Sequence, residues 1–256
     1  MKRFALFIAD ILGLIWRMFP GSLRTRLLTG LFVLDSRHRD PATGLIRLLL
    51  LRDRLDWVIN ERAMKYGRGE HPKHKLTNYH QFFVQHINDG ERVLDVGCGY
   101  GAVARSVALT YPRCEVTGID QNKPRLAHAR ASDNPVNLQF VEGDATKTVP
   151  SGPWNVVVLS NVLEHIGERV HFLVALQTAT QASRYLIRVP LFERDWQMAL
   201  RRELEVDFRS DDDHKIEHTL AEFQAEMFKA GLKPIELQTM WGEIWADCRP
   251  VGADVR

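Results

Sequence analysis

The sequence predicts an α/β fold, a mostly parallel sheet covered by helices on both faces, preceded by a helical extension. Three observations carry this. Short apolar runs of strand length alternate with helical stretches from Arg92 to Cys248. The first run, residues 92–96, passes straight into the turn Gly97-Cys98-Gly99-Tyr100-Gly101. The next run ends in an acid, Asp120, about the ~20-residue interval at which a carboxylate meets the ribose of a bound nucleotide.

Residues 1–19 open with Lys2-Arg3 and continue as an apolar run broken by Asp10 and ended by Arg17 and Pro20. A spanning helix needs ~20 predominantly apolar residues, so this run is too short and too charged. The small-residue cleavage site of a signal peptide is also missing. Further apolar helical segments over 23–34 and 45–59 carry Arg24, Arg26, Arg47, Arg52 and Arg54. Apolar helices edged by arginine suit a membrane surface, although a helical cap on the next domain or an oligomer contact would use the same pattern. Residues 1–64 therefore read as a helical extension, with a peripheral position on the cytoplasmic face of the membrane as the expected role. Residues 65–90 read as a linker or lid: Gly67, Gly69 and Pro72 interrupt helix, which resumes from Asn78 to Asn88.

Residues 91–256 form the main domain. A strand over 92–96 leads through the glycine turn to a helix over 102–111, with Val103, Val107 and Leu109 as apolar contacts. Strands follow over 116–120, 137–141 and 154–160, then a helix over 170–182 and a strand over 184–190. Thr219 suits the N-cap of a helix over 220–230 that Gly231 closes. Strands over 233–240 and 243–248 flank Trp241-Gly242. Residues 191–219 form an insertion off a strand's carboxyl end, the edge where open sheets hold ligands. It carries Phe192-Glu193-Arg194-Asp195-Trp196, then Asp211-Asp212-Asp213-His214 and Glu217-His218.

Hydrophobic residues at 45% and charged residues at 26% are ordinary for a globular chain. A net charge of +2 gives no overall basic character to suggest nucleic acid. Cys98, Cys114 and Cys248 are scattered and lack metal spacing, as in a reduced cytoplasmic compartment.

Four ordered blocks resemble class I S-adenosylmethionine-dependent methyltransferases. Val93-Leu94-Asp95-Val96-Gly97-Cys98-Gly99-Tyr100-Gly101 is similar to the family's motif I, and Asp120 stands at its ribose-binding acid. Glu142-Gly143-Asp144-Ala145 resembles the loop that contacts adenine, and Asn161-Val162-Leu163-Glu164-His165-Ile166 the motif facing methyl donor and acceptor. A nicotinamide-binding Rossmann domain would share the first two blocks but not the latter pair. The resemblance implies a Rossmann-like seven-stranded, mostly parallel sheet with an antiparallel terminal hairpin. It also implies S-adenosyl-L-methionine as cofactor, contacted by Asp95, Gly97, Gly99, Gly101, Asp120, Gln121, Asp144, Ala145 and Asn161. The Asp-rich turn with a His before the last helix is similar to bacterial methyltransferases encoded among glycan-assembly enzymes.

Methyl transfer from a sulfonium is an in-line displacement, and an alcohol acceptor must lose a proton as it attacks. Histidine suits that role, so His214 and His165 are the candidate bases, each with a purely structural alternative. Glu164 would orient the donor's amino group or the histidine. Tyr100, Phe192 and Trp196 would offer cation–π attraction to the sulfonium, or pack as ordinary core. Some similar methyltransferases hold a divalent ion with Glu-x-x-Glu-His; here Asn161 takes the first place, and no metal is expected. The expected function is O-methylation of a sugar hydroxyl in a glycan or lipid-linked precursor. A quinone, lipid or other membrane-associated small molecule is the alternative acceptor, and a non-catalytic binding module the alternative class. Oligomeric state stays open.

Overall fold

The computed structural model describes residues 12–68 and 71–252, and contacts divide the chain into two units. The first holds the described residues up to His71 together with Arg201–Val206. Residues 1–11, where the first apolar run begins, lie outside the described residues. Residues 12–17 are helical and are followed by α1 (Gly21–Asp35) and α2 (Pro41–Tyr66), which contain the expected apolar segments 23–34 and 45–59. Asp40 starts α2: its carboxylate accepts the N–H groups of Ala42 at 3.2 Å and Thr43 at 3.0 Å, with Pro41 in the first turn. Arg47 reaches Asp35 at 3.1 and 2.5 Å and ties the two helices together. The buried Arg201 pairs with Asp53 at 2.6 Å and donates to Leu49 O at 3.1 Å. Among the described residues no helix is long and apolar enough to cross a membrane.

The second unit, Pro72–Leu200 with the described residues from Asp207 onward, contains the sheet. Its strands are β1 (Arg92–Val96), β2 (Glu115–Asp120), β3 (Leu138–Glu142), β4 (Val156–Ser160), β5 (Arg184–Pro190), β6 (Leu232–Met240) and β7 (Glu243–Pro250). They form one seven-stranded sheet in the order β3-β2-β1-β4-β5-β7-β6. β1 to β5 pair in parallel, and β7 runs antiparallel to both β5 and β6, completing the Rossmann-like sheet with its terminal hairpin. The helices are α3 (Lys73–Thr77), α4 (His80–Gln85), α5 (Ala102–Thr110), α6 (Lys123–Ala131), α7 (Arg169–Thr180), α8 (Trp196–Glu203), whose residues from Arg201 onward belong to the first unit, and α9 (Leu220–Lys229).

Successive strand residues face opposite sides of the sheet. Leu94, Val157, Leu159 and Ile187 enter one apolar layer with Leu173 of α7 and Phe223 of α9. Val93, Val156, Val158 and Leu186 enter the other with Phe83 of α4 and Val107 of α5. Both faces being covered, residues 156–159 of β4 are wholly buried, which is why that strand reads as an unbroken apolar run. α9 starts on the expected Thr219, whose hydroxyl accepts the Glu222 N–H while Glu222 accepts the Thr219 N–H.

Three features differ from the sequence reading. α6 has no apolar period to announce it; it is started by Asn122, whose side chain accepts the Arg125 N–H at 3.0 Å, with a proline in the first turn. Leu109 is exposed, and Ala104 and Ala108 pack instead, since 103, 104, 107 and 108 share one helical face. The helical stretch between Asn78 and Asn88, grouped above with the linker or lid, is largely core: Tyr79, Phe82, Phe83, Val84 and Ile87 are buried in the second layer.

Gly101 caps α5 with φ +75°, and a Cβ there would sit 2.4 Å from Phe140 Cζ. Gly101→Ala is expected to destabilise the protein by about 2 kcal/mol or more, since the left-handed backbone and the clash add. A lower urea midpoint at unchanged slope is the readout; an unchanged midpoint would contradict this turn geometry.

Candidate active site

The carboxyl ends of β1, β2, β3 and β4 surround a cavity of about 540 Å³, at the edge where open α/β sheets bind ligands. The glycine turn forms one wall. Gly97 and Cys98 N–H both donate to Ile119 O, at 2.8 and 3.1 Å, fastening the turn to β2. Gly97 passes so close to Val162 that a Cβ would lie 2.7 Å from its Cγ2, so this wall is bare backbone. Asp120 holds the loops on either side of β2's end: Oδ2 accepts the Gly99 N–H and Oδ1 the Asn122 N–H, both at 2.7 Å. Each oxygen keeps acceptor capacity for a ligand hydroxyl.

Asp95 lies behind this wall. It is buried, accepts the Ala104 N–H at 3.2 Å, and is pushed up to about 7 by burial and by the nearby Asp120 charge. Asp144 is the opposite case. Hydrogen bonds from the Thr146 hydroxyl at 2.6 Å and from Lys147 at 2.9 Å, helped by the Thr146 N–H, hold its carboxyl down at about 2.

The second half of the site follows β4. Asn161 adopts φ +56°, a left-handed conformation that Asn tolerates, and its N–H donates to Arg188 O at 2.8 Å. A 3-10 turn, Leu163–His165, then presents Glu164 and His165. The insertion docks on that turn through Lys215 N–H to Glu164 O at 2.6 Å. The His165 and His214 rings meet edge to face with centroids 4.8 Å apart, and His165 Nδ1 lies 3.1 Å from Asp213 Oδ1. His214 is buried, with Nδ1 3.2 Å from Glu217 Oε1. Glu217, whose side chain is fully buried, also accepts the Ser210 N–H and hydroxyl at 2.5 and 2.7 Å and is paired with Arg194. A carboxylate at Nδ1 selects the tautomer that leaves the lone pair on Nε2.

Glu164 is fully buried, and neither carboxylate oxygen has a hydrogen-bond partner among the described residues; burial pushes it up to about 8. Asn161 Oδ1 is likewise buried without a partner. Glu164, His165 and His214 each offer an atom within 4.8 Å of the others, as do Asp211, Asp213 and His214. Carboxylate and imidazole donors at that spacing suit a divalent cation, even with Asn161 where the metal-binding pattern has Glu.

Of the residues expected to contact a cofactor, Gly97, Asp120, Gln121, Asp144, Ala145 and Asn161 line the cavity. Asp95, Gly99 and Gly101 do not: they shape the turn from behind. Of the expected catalytic residues His165 lines the cavity, with Glu164 and His214 packed beside it. The expected aromatics stay outside: Tyr100 and Trp196 are exposed, and Phe192 packs on Phe208. Cys98 is buried, and burial raises its thiol pKa, which leaves it inert. Two features escape the sequence. Val162 and the pair Asp211 and Asp213 line the cavity, and Glu217 positions His214. The Glu217–His214 spacing lies on an irregular loop, where no periodicity flags it.

Residues 93–182 match the methyltransferase-domain family. About a third of the chain is thus similar to a methyltransferase domain. The chain is 37% identical over 73 residues to a fatty-acid O-methyltransferase of Mycolicibacterium smegmatis, covering 28% of this chain and 27% of that one. It is 34% identical over 112 residues to ribosomal RNA large subunit methyltransferase G of Streptomyces avermitilis, covering 41% and 29%. The matches thus span less than a third of the length of these relatives. The fold resembles magnesium protoporphyrin IX methyltransferase from Synechocystis, solved with bound S-adenosylhomocysteine. The TM-score is 0.54 at 15% identity, over 70% of this chain and 83% of that one.

Burial gives Asp95 a testable pH dependence. Its folded pKa of about 7 lies above the ordinary 3.8, so its stabilising contribution is complete below about pH 4 and is lost as pH rises to about 7. Asp95→Asn keeps an oxygen for the Ala104 N–H but does not ionise. Its urea midpoint is expected to fall less than the wild type's between those limits; parallel pH profiles would refute the buried-acid assignment.

Proposed function

We propose that the chain is an S-adenosylmethionine-dependent methyltransferase that O-methylates a sugar hydroxyl of a glycan or lipid-linked precursor, working at the cytoplasmic face of a membrane. The observation that carries the reading is the junction of two half-sites. A cavity walled by Gly97, Asp120 and Asp144 abuts His165, and next to it lies His214, oriented by the buried Glu217. The cofactor fits the first half: the cavity is large enough, Gly97 leaves bare backbone, and Asp120 has spare acceptor capacity at its rim. When bound, it supplies a sulfonium methyl open to in-line attack.

In this reading Asp120 accepts the ribose hydroxyls, Asp144 and Ala145 meet the adenine, and Asn161 and Glu164 meet the amino group. Gly97 and Gln121 complete the wall, while Asp95, Gly99 and Gly101 hold the turn in shape. His214 takes the acceptor's proton on Nε2, with Glu217 holding its tautomer and His165 packed against it. The net charge of +2 offers nothing that favours nucleic acid as acceptor, and the three buried free cysteines fit a reducing compartment. A lipid or quinone acceptor is the second reading, favoured by the fatty-acid O-methyltransferase among the relatives. A non-catalytic module accounts poorly for Glu164, a buried carboxyl whose two oxygens have no hydrogen-bond partner among the described residues.

Two experiments test this. Asp120→Asn retains one acceptor for the loop but loses the charge. S-adenosylhomocysteine binding, measured by calorimetry, is expected to weaken roughly 10- to 100-fold with little change in melting temperature. No binding by folded wild type would remove the enzyme reading altogether. In a labelled-methyl assay across sugar and lipid acceptors, His214→Ala is expected to lose about 100-fold or more in turnover with cofactor affinity kept. Glu217→Gln should lose less and shift the acid limb of the pH–rate profile. Turnover abolished by a chelator and restored by Mn²⁺ would instead assign Glu164, His165 and His214 to an ion and displace the general-base role.

A further inference from the structure

Helix α1 exposes apolar side chains that no described residue of its own unit covers. None of its residues is buried, and Leu23, Leu27, Leu31 and Leu34 fall at spacings of four, four and three, on one stripe. Their exposures rise along the helix from 40% to 71%, and Met18 and Phe19 just before it are exposed as well. At 15 residues, or about 22 Å, α1 is short of the ~30 Å hydrocarbon core, so it can lie in a membrane surface but not cross it.

Charge decides the occupant. Between Leu12 and Leu34 the sequence holds Arg17, Arg24 and Arg26 and no Asp or Glu, so the stretch carries three positive charges and no negative one. The first carboxylate after it, Asp35, is already bound to Arg47. A second copy of this surface would meet it with like charges, whereas anionic headgroups complement both the arginines and the apolar stripe. We propose that α1, with the helical residues just before it, is an in-plane anchor seated at the headgroup–acyl boundary of an anionic membrane. This deepens the membrane placement proposed above and names the surface and the lipid charge that serve it.

The test is flotation of the full chain with vesicles of phosphatidylcholine alone or mixed with phosphatidylglycerol, at low and high salt. Wild type is expected to float with the mixed vesicles at low salt, to be partly released by salt, and to stay down with phosphatidylcholine alone. Arg24→Gln with Arg26→Gln should lower partition onto the mixed vesicles roughly 30-fold. Leu27→Asp with Leu31→Asp should abolish flotation. Failure of wild type to float at low salt, equal flotation on both vesicle types, or unchanged flotation of the Leu27/Leu31 variant overturns the proposal. So does a wild-type dimer, seen by light scattering without lipid, that the Leu27/Leu31 variant splits. S-adenosylhomocysteine calorimetry on the same preparations keeps the two readings apart. Binding retained without flotation removes the anchor alone, and flotation without binding removes the enzyme reading alone.

Discussion

In the sheet unit the polar side chains that line the cavity gather beyond the carboxyl ends of the central strands. A parallel sheet covered on both faces leaves no wet side, and β4 shows the limit, with four successive residues wholly buried. The loops after β1 to β4 must therefore carry the chemistry, and their backbone donors need partners close by. Asp120 is the joint on which this edge depends. Its two oxygens bind the loops after β1 and β2 at once, so the position of the glycine wall follows from a single carboxylate.

The same edge tolerates local costs. Asp95 and Glu164 are both buried acids whose neutral forms are favoured, and they stand behind the two halves of one cavity. Asn161 occupies a left-handed conformation without being glycine, and its side-chain oxygen is left unpartnered. Departures of this kind recur at functional sites in proteins, and these two stand beside the cavity.

The fold was legible because burial on both faces writes itself into composition. Strands β1 to β5 appear as apolar runs within a residue or two of their observed bounds, and Thr219 and Gly231 mark α9 by their own chemistry. The glycine turn and Asp120 were legible for a related reason: a tight glycine turn and an acid at a strand end are local features. What stayed hidden is tertiary. α6 is started by a side-chain cap and a proline, not by an apolar period. The aromatic stretch from Tyr79 to Phe83 reads as connection because its partners, such as Val93 and Trp245, are far away in sequence. Glu217 sits three residues from His214 on an irregular loop, so only the folded backbone brings the two together.

The hydrogen bond from Lys215 N–H to Glu164 O has a consequence for how such a molecule diversifies. The glycine turn, Asp120 and Asp144 belong to the repeating strand–helix frame, whereas His214, Asp211 and Asp213 arrive on one continuous excursion between β5 and α9. That excursion is pinned by its own internal ties, Arg194 to Glu217 and Glu217 to Ser210, and meets the turn after β4 through the Lys215 N–H and through the Asp213 and His214 side chains at His165. The main-chain part of that contact is indifferent to side-chain identity. The division of labour amounts to a socket and a cartridge: side chains on the excursion can be exchanged at the cavity's rim without disturbing the glycine turn and Asp120 that wall it.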